Sequence, residues 1–349
     1  MSTLPPALRL SVLDRSSIRR GQDPARALRD TVEFARQAEE LGYHRFWVAE
    51  HHSVPGVAGS APTVLAMAVA AATSRIRVGT GGVMLPNHQP LVVAEQFGVL
   101  DALHPGRIDM GIGRSLGFTS GIRRALERGA DAADDFPDQL ARLLGFISGE
   151  QTDHPGVHAV PGEGSGAAPF LLATGAGAAT AAELGLPLVI APVGGVERMA
   201  GLVADYRAAF RPSRWAPRPY VVVSGNVAVA GTPEAARRLL VPEAWSFAYS
   251  RTHAVFPPLE SAEDVEARQM TDRERARFDE AMAGHVHGTE DQVAEQLADL
   301  VGRTGADEVL VTLSTYDRAE MLDSYTRLAR LAGLAGRPAA RRVAATAAG

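Results

Sequence analysis

The chain alternates two hydrophobic patterns. Short apolar runs recur between longer stretches whose apolar positions repeat at helical spacing, and no fixed-period sequence repeat accompanies them. Such alternation reads as successive βα units on a parallel sheet. The runs fall at 8–14, 45–49, 76–79, 108–112, 170–173, 188–191, 220–229 and 308–313. Helices are predicted after them at 24–41, 61–73, 90–103, 136–148, 178–184, 196–210, from 233 onward, and at 319–331. In the first helix Asp23 is the cap, Pro24 the first position, Gly42 the stop, and Leu28, Val32, Ala35 and Ala38 the apolar face. Thr289 with Gln292 reads as a capping box, with Val293, Leu297, Leu300 and Val301 behind it. Residues 241–285 read as an irregular, mostly helical insertion, and 336–349 as a disordered tail.

Eight strands, each followed by helix, exceed the usual open doubly wound sheet and match a closed barrel. The expected fold is one (β/α)8 barrel over 1–335, with the insertion before strand eight. Chemistry then belongs to the loops at the C-terminal strand ends.

Composition narrows the chemistry. The 349 residues contain no Cys, which excludes disulfides and thiolate metal sites. Lys is absent, so all 35 basic residues are Arg, and Schiff-base and P-loop lysines are excluded. A formal net charge of −5 leaves no global footprint for nucleic acid. No apolar run is long enough to span a membrane and no signal peptide is evident, so a cytoplasmic protein is expected.

Four strand exits carry candidate chemistry. Glu50-His51-His52 follows the second run; adjacent histidines suit acid–base work near neutral pH, against one core and one surface histidine. A metal reading is weak, because neighbours on a strand face opposite ways and no third ligand stands at a recognisable spacing. Gly81 and Gly82 after the third run permit close approach of a flat ligand, or make an ordinary loop. Asn87 and His88 beyond them read as loop residues with no role.

After the fourth run, Arg114 reads as a phosphate or carboxylate clamp. The surrounding Gly113–Gly117 also matches the G-x-S-x-G of a serine hydrolase, with Ser115 as nucleophile. After the fifth run, Thr174, Gly175, Ala176 and Gly177 open a helix whose free N–H groups suit phosphate. A dinucleotide fingerprint there is poor, since Thr180 replaces the third glycine and no acidic residue ends the sixth run. His154 and His158 read as surface loop, and Phe46 and Trp47 as packing residues.

At this point the residues resemble the bacterial luciferase-like flavin monooxygenases. The matching segments, in order, are LSVLD at 10–14, FWVAEHH at 46–52, RVGTGGVMLP at 77–86, AEQF at 94–97, PGRIDMGIGR at 105–114 and AELGLP at 182–187. Gly288-Thr289, the stretch 305–308 and Thr315-Tyr316 complete the match, which spans about residues 8–333. No single motif is decisive; their order and spacing are specific.

The resemblance implies reduced FMN at the strand C-termini, reacting with O₂ through a C4a-peroxyflavin to oxygenate a substrate. It makes His51 the reactive histidine, flanked by His52 and Glu50. It places the cofactor phosphate on Arg114 and on 174–177, and lays Gly81 and Gly82 against the isoalloxazine, often through a non-proline cis peptide. The phosphate loop is shorter and poorer in hydroxyls than the family's, which implies weaker flavin retention and suits an enzyme fed by a separate NAD(P)H:flavin reductase. The luciferase cysteine near the flavin falls on Gly113, so oxygenation other than light emission is expected. Within the family the motifs resemble the branch with actinobacterial polyketide-tailoring enzymes, which implies epoxidation or hydroxylation of an aromatic small molecule. A homodimer through early helices is also implied, with the insertion and the loop after the fourth run shaping the substrate pocket. The alternatives are an F420-dependent hydride-transfer enzyme and a non-catalytic flavin- or fatty-acid-binding relative.

Overall fold

The computed structural model describes Leu4, Pro5 and residues 8–334; the expected tail at 336–349 lies outside them. Strands β1 (Arg9–Asp14), β2 (Arg45–Val48) and β3 (Arg77–Thr80) alternate with helices α1 (Pro24–Glu40) and α2 (Pro62–Ala72). The short β4 (Val83–Met84) precedes α3 (Pro90–Leu103), and β5 (Ile108–Gly113) is followed by α4 (Ser120–Ala125) and α5 (Phe136–Ser148). Then come β6 (Ala168–Ala173), α6 (Gly177–Glu183), β7 (Leu188–Ile190), α7 (Val196–Ala209) and β8 (Val221–Val229). The chain continues through α8 (Pro233–His253), α9 (Ala262–Glu266), α10 (Asp272–Met282), β9 (Val286–Gly288) and α11 (Glu290–Thr304). It ends in β10 (Glu308–Thr312) and α12 (Arg318–Leu331).

Eight of these strands close a parallel ring in the order β1-β2-β3-β5-β6-β7-β8-β10, with β10 pairing back onto β1. The expected (β/α)8 barrel is the observed one. The two extra strands decorate it: β4 pairs with β5, and β9 lengthens the far half of β8.

Local chemistry sets the element ends. Pro stands in the first turn of α1, α2, α3, α5 and α8, where its missing N–H costs nothing. Asp23 and Thr232 cap their helices through side-chain oxygens, and Thr289 with Gln292 forms the expected capping box. Residue 241 falls inside a helix: α8 runs unbroken to His253 through Pro242. The insertion is therefore most of α8 with α9 and α10. It is stitched over the barrel mouth by Gly56 N–H to Phe256 O (2.9 Å), Leu259 N–H to Ile18 O (2.8 Å) and Arg20 N–H to Leu259 O (2.8 Å).

Strand alternation makes two cores. Leu10, Val12, Phe46 and Val48 face the helices, whereas Trp47, Phe170, Val189, Val222 and Leu310 fill the barrel interior. Gly111 admits a close crossing there, since a Cβ on it would stand 1.9 Å from Thr80 O.

The N-terminal end of the barrel is closed by charge. Arg45 donates Nε to both oxygens of Glu308 (3.0 Å each) and Nη1 to Asp109 Oδ2 (2.7 Å). Asp109 also accepts from Arg77 Nε (2.9 Å) and Trp47 Nε1 (3.0 Å). Glu308 accepts from Tyr220 Oη (2.6 Å) and from Ser11 Oγ. The Arg45 guanidinium lies 4.7 Å from the Phe170 ring centre. Burial pushes both carboxyls up, but Arg45, joined by Arg77 at Asp109, outweighs it and holds both below their ordinary values. Trp47, expected only to pack, thus also donates into this network.

Removing one partner of a buried network leaves uncompensated charge. Arg45→Met is expected to cost about 3–5 kcal/mol in urea unfolding, because Glu308 loses the guanidinium that pairs with both of its oxygens. A loss below about 1 kcal/mol would show that the floor is held by packing alone.

Candidate active site at the barrel mouth

The exits of β1 and β2 lie side by side at the C-terminal mouth. Beyond Val48 the chain turns through Ala49 and Glu50, and His51 is fixed by its N–H to Gly59 O (2.8 Å). Ser16 and Ser53 flank these exits in the left-handed region, at φ 57° and 52°. Such conformations in residues other than glycine cost free energy and cluster at functional sites. His51 Nδ1 is buried and, among the described residues, has no hydrogen-bond partner. Burial, with the Arg15 guanidinium nearby, pushes the imidazole down to about 4, so it is neutral at pH 7.

Glu50 is the hub of the neighbouring loop. Its buried carboxylate accepts from His52 Nε2 (2.8 Å) and Asn87 Nδ2 (3.0 Å) on Oε1. On Oε2 it accepts from His88 Nε2 (2.9 Å) and Met84 N–H (3.0 Å). Burial pushes this carboxyl up, but His88, Asn87 and the Met84 N–H outweigh it and leave it below its ordinary value. Glu50 and His52 are thus in direct contact, while His51 stands apart from that network. Asn87 and His88, read as idle loop residues, are two of the four ligands of Glu50.

A second polar chain sits on the inner mouth. Arg15 pairs with the buried Glu243 of α8, whose other oxygen accepts from Asn226 Nδ2 (2.9 Å). Asn226 Oδ1 accepts in turn from Thr312 Oγ1. Beside this chain lies a cavity of about 540 Å³, bordered by Arg15, Asn226 and Thr312 and walled by apolar groups including Val193, Val196 and Phe247. The insertion supplies one wall through Phe247 and residues 283–285, whereas none of residues 114–135 borders it. No short sequence signal marks Arg15, Asn226 or Glu243. Each acquires its role from a partner more than ten residues distant.

On the opposite side, the Gly81–Gly82 peptide is cis, and a Cβ on Gly82 would meet Gly111 O at 2.7 Å. Arg114 leaves β5 exposed and donates Nε to Ala133 O (3.0 Å). Thr174 leaves β6, the strand paired with β5, so the two residues exit from neighbouring strands. Among the described residues the N–H groups of Gly175 and Ala176 find no backbone acceptor, and a Cβ on Gly175 would meet nothing within 4 Å.

Other candidates separate from this mouth. Ser115 is exposed and, among the described residues, has no hydrogen bond to a histidine, so no hydrolase triad forms. His154 and His158 are exposed, the latter paired with Glu163 at 2.7 Å.

The histidine burial has a pH consequence. Burial first, and Arg45 second, also pushes His44 down to about 4, against an ordinary value of 6.5 for both histidines. Between pH 6.5 and 4 the unfolded chain binds protons that the folded chain refuses, so stability falls as pH drops through that window. His51→Gln is expected to shrink that fall by about 1–3 kcal/mol in urea melts at about pH 7 and about pH 4.5. An undiminished fall would place the protonation elsewhere.

The comparisons with known proteins agree with this geometry. The family model for the luciferase-like monooxygenases matches residues 8–308. The chain is 34% identical to a luciferase-like monooxygenase of Escherichia coli (strain K12) over 320 residues, covering 90% of this chain and 94% of that one. The apo-MsnO8 crystal structure superposes with TM-score 0.83 at 34% identity, covering 95% and 99% of the two chains. The oxygenating constituent of 3,6-diketocamphane monooxygenase from Pseudomonas putida, solved with FMN, has TM-score 0.70 at 18% identity, covers 93% and 97%, and shows a shared fold. A closed parallel barrel that carries the Glu50 and Arg15 networks at its C-terminal mouth, together with these matches, makes this chain a member of the luciferase-like monooxygenase family, oxidoreductases that incorporate molecular oxygen.

Proposed function

We propose that this chain is the oxygenating component of a two-component system. It takes reduced FMN from a separate NAD(P)H:flavin reductase in the cytoplasm and, with O₂, epoxidises or hydroxylates a small organic molecule. The first candidate class is an aromatic polyketide of secondary metabolism.

The observation that carries this reading is the unpartnered, buried Nδ1 of His51 at the barrel mouth. A buried polar atom without a partner is explained by a ligand that supplies one. The rest of the mouth fits the same ligand. Arg114 and the free N–H groups of Gly175 and Ala176 offer donors to a phosphate, with Thr174 and Gly177 framing them. Gly81 and Gly82 keep the β3 exit free of side chains, since a Cβ on them would meet Leu13 Cδ1 and Gly111 O at 2.7 Å. When bound, a reduced flavin supplies the electrons that activate O₂. The chain's own residues then have three tasks: His51 meets the ligand as a neutral imidazole, His52 with Glu50 holds a proton at Nε2, and the stitched insertion limits water. The cavity beside Arg15 is assigned to the organic substrate.

We further assign the outer face of α2 and α3 to a homodimer. Val64 on α2, and Val92, Val99 and Leu103 on α3, stand 70%, 45%, 42% and 63% exposed. Such an apolar face, on helices whose other sides are buried against the barrel, suits a partner of the same kind.

Anaerobic titration with reduced FMN, followed by rapid mixing with O₂, tests the cofactor. Saturable binding and slowed flavin reoxidation are expected. Arg114→Ala should weaken binding about tenfold to a hundredfold, the worth of a charge-assisted hydrogen bond. His51→Ala should weaken binding less than Arg114→Ala does and lose product formation. If neither redox state of FMN binds, the reading fails and F420 becomes the cofactor to test. For the assembly, light scattering is expected to give a dimer for the native chain and a folded monomer for Val64→Glu with Leu103→Glu; a native monomer overturns that assignment.

A further inference from the structure

We propose that Glu50 is a positioning residue that acts through two histidines, and that His88 is the second of them: one buried carboxylate holds His52 and His88 as a pair of Nδ1 bases. Their use in turnover rests on the proposed oxygenation, but their protonation pattern does not.

The Glu50 carboxylate is saturated with donors. An ionised carboxylate offers about four lone-pair sites, and here four donors occupy them, two on each oxygen. The Met84 amide can only donate. With both oxygens accepting, an imidazole nitrogen 2.8 or 2.9 Å away has to carry the hydrogen. Both histidines are therefore Nε2–H tautomers, and in each neutral ring the lone pair is on Nδ1. Both rings are partly exposed, at 22% and 30% of the side chain, and neither Nδ1 is a buried orphan, unlike that of His51. The ring centres stand 6.4 Å apart.

A buried carboxylate behind an imidazole fixes its tautomer and orientation. One carboxylate behind two imidazoles fixes both rings at once and leaves an Nδ1 lone pair on each as a proton acceptor. The arrangement suits a site at which a proton is handled while one oxygen atom leaves as water.

The same three groups also make a two-histidine, one-carboxylate set, with ligand atoms within 4.8 Å of one another. A metal there would require both Nε2 atoms to be bare and the hydrogens to move to Nδ1. It would also compete with the Met84 and Asn87 donors for Glu50. Tautomer state therefore separates the two arrangements without reference to activity.

The experiment is long-range ¹H–¹⁵N spectroscopy on the full chain labelled with ¹⁵N-histidine, with His52→Gln and His88→Gln as assignment variants. Nε2–H signatures are expected for His52 and His88. Glu50→Gln keeps the shape but turns one acceptor into an N–H₂ group, so one histidine should switch to Nδ1–H. Should that variant not fold, His88→Gln is the second arm: His52 should keep its Nε2–H, since Oε1 still holds it. In the reductase-coupled reaction, His88→Gln should lower product per O₂ consumed by about tenfold to a hundredfold, with reduced-FMN affinity unchanged. Nδ1–H tautomers at both rings, a switch to them on adding Zn²⁺, tautomers unmoved by Glu50→Gln, or unchanged product yield in His88→Gln would each overturn the proposal. Absence of any oxygenation would sink the proposed function and leave the tautomer result to stand by itself.

Discussion

Everything at the mouth depends on the charged plug at the other end of the barrel. Arg45, Asp109, Glu308 and Arg77 lie at the first turns of four strands, bridged by Trp47 and Tyr220. Buried charge is tolerated only when each group is paired and hydrogen-bonded, so these strands have little freedom to slide or spread. Ring closure between β10 and β1 follows from that register, Arg9 opposite Glu308. With one end sealed by ions and the middle filled by Trp47, Phe170, Val189, Val222 and Leu310, a ligand has one end left to enter.

At that end the loops divide the work. The exits of β2 and β3 are bound together by one carboxylate, Glu50, which draws His52, Met84, Asn87 and His88 onto itself. The exits of β1, β8 and β10 are joined by Arg15, Asn226 and Thr312 to Glu243 on α8. His51 belongs to neither network, and among the described residues its buried Nδ1 has no hydrogen-bond partner. Arg114 and Thr174, on the neighbouring exits of β5 and β6, make the third side and carry few internal bonds of their own. The mouth thus has two walls tied by internal hydrogen bonds and a third tied by few.

The fold was legible because its signals are local. Apolar runs, Pro in first helical turns, the Asp23 cap and the Thr289–Gln292 box each operate within a few residues, and all appear in the structure. The Glu50-His51-His52 cluster was legible for the same reason. His88 was not, since a lone histidine in a loop carries no pattern until Glu50, 38 positions earlier, is folded against it. Nor was the extent of α8: Pro242 signals a break, yet the helix continues because Trp245, Ala248 and their neighbours are buried against the barrel.

By itself the sequence determined the eight βα units, the strand ends at which chemistry gathers, and the kinds of side chain available there. Periodicity, capping and turn chemistry are properties of neighbouring residues, so they are written along the chain. Only the tertiary structure decided which of those side chains are joined and which are left free. Hydrogen-bond saturation at Glu50, the neutral state of His51 and the pairing of Arg15 with Glu243 depend on burial and on partners brought in from distant strands, and both come into being when the barrel closes.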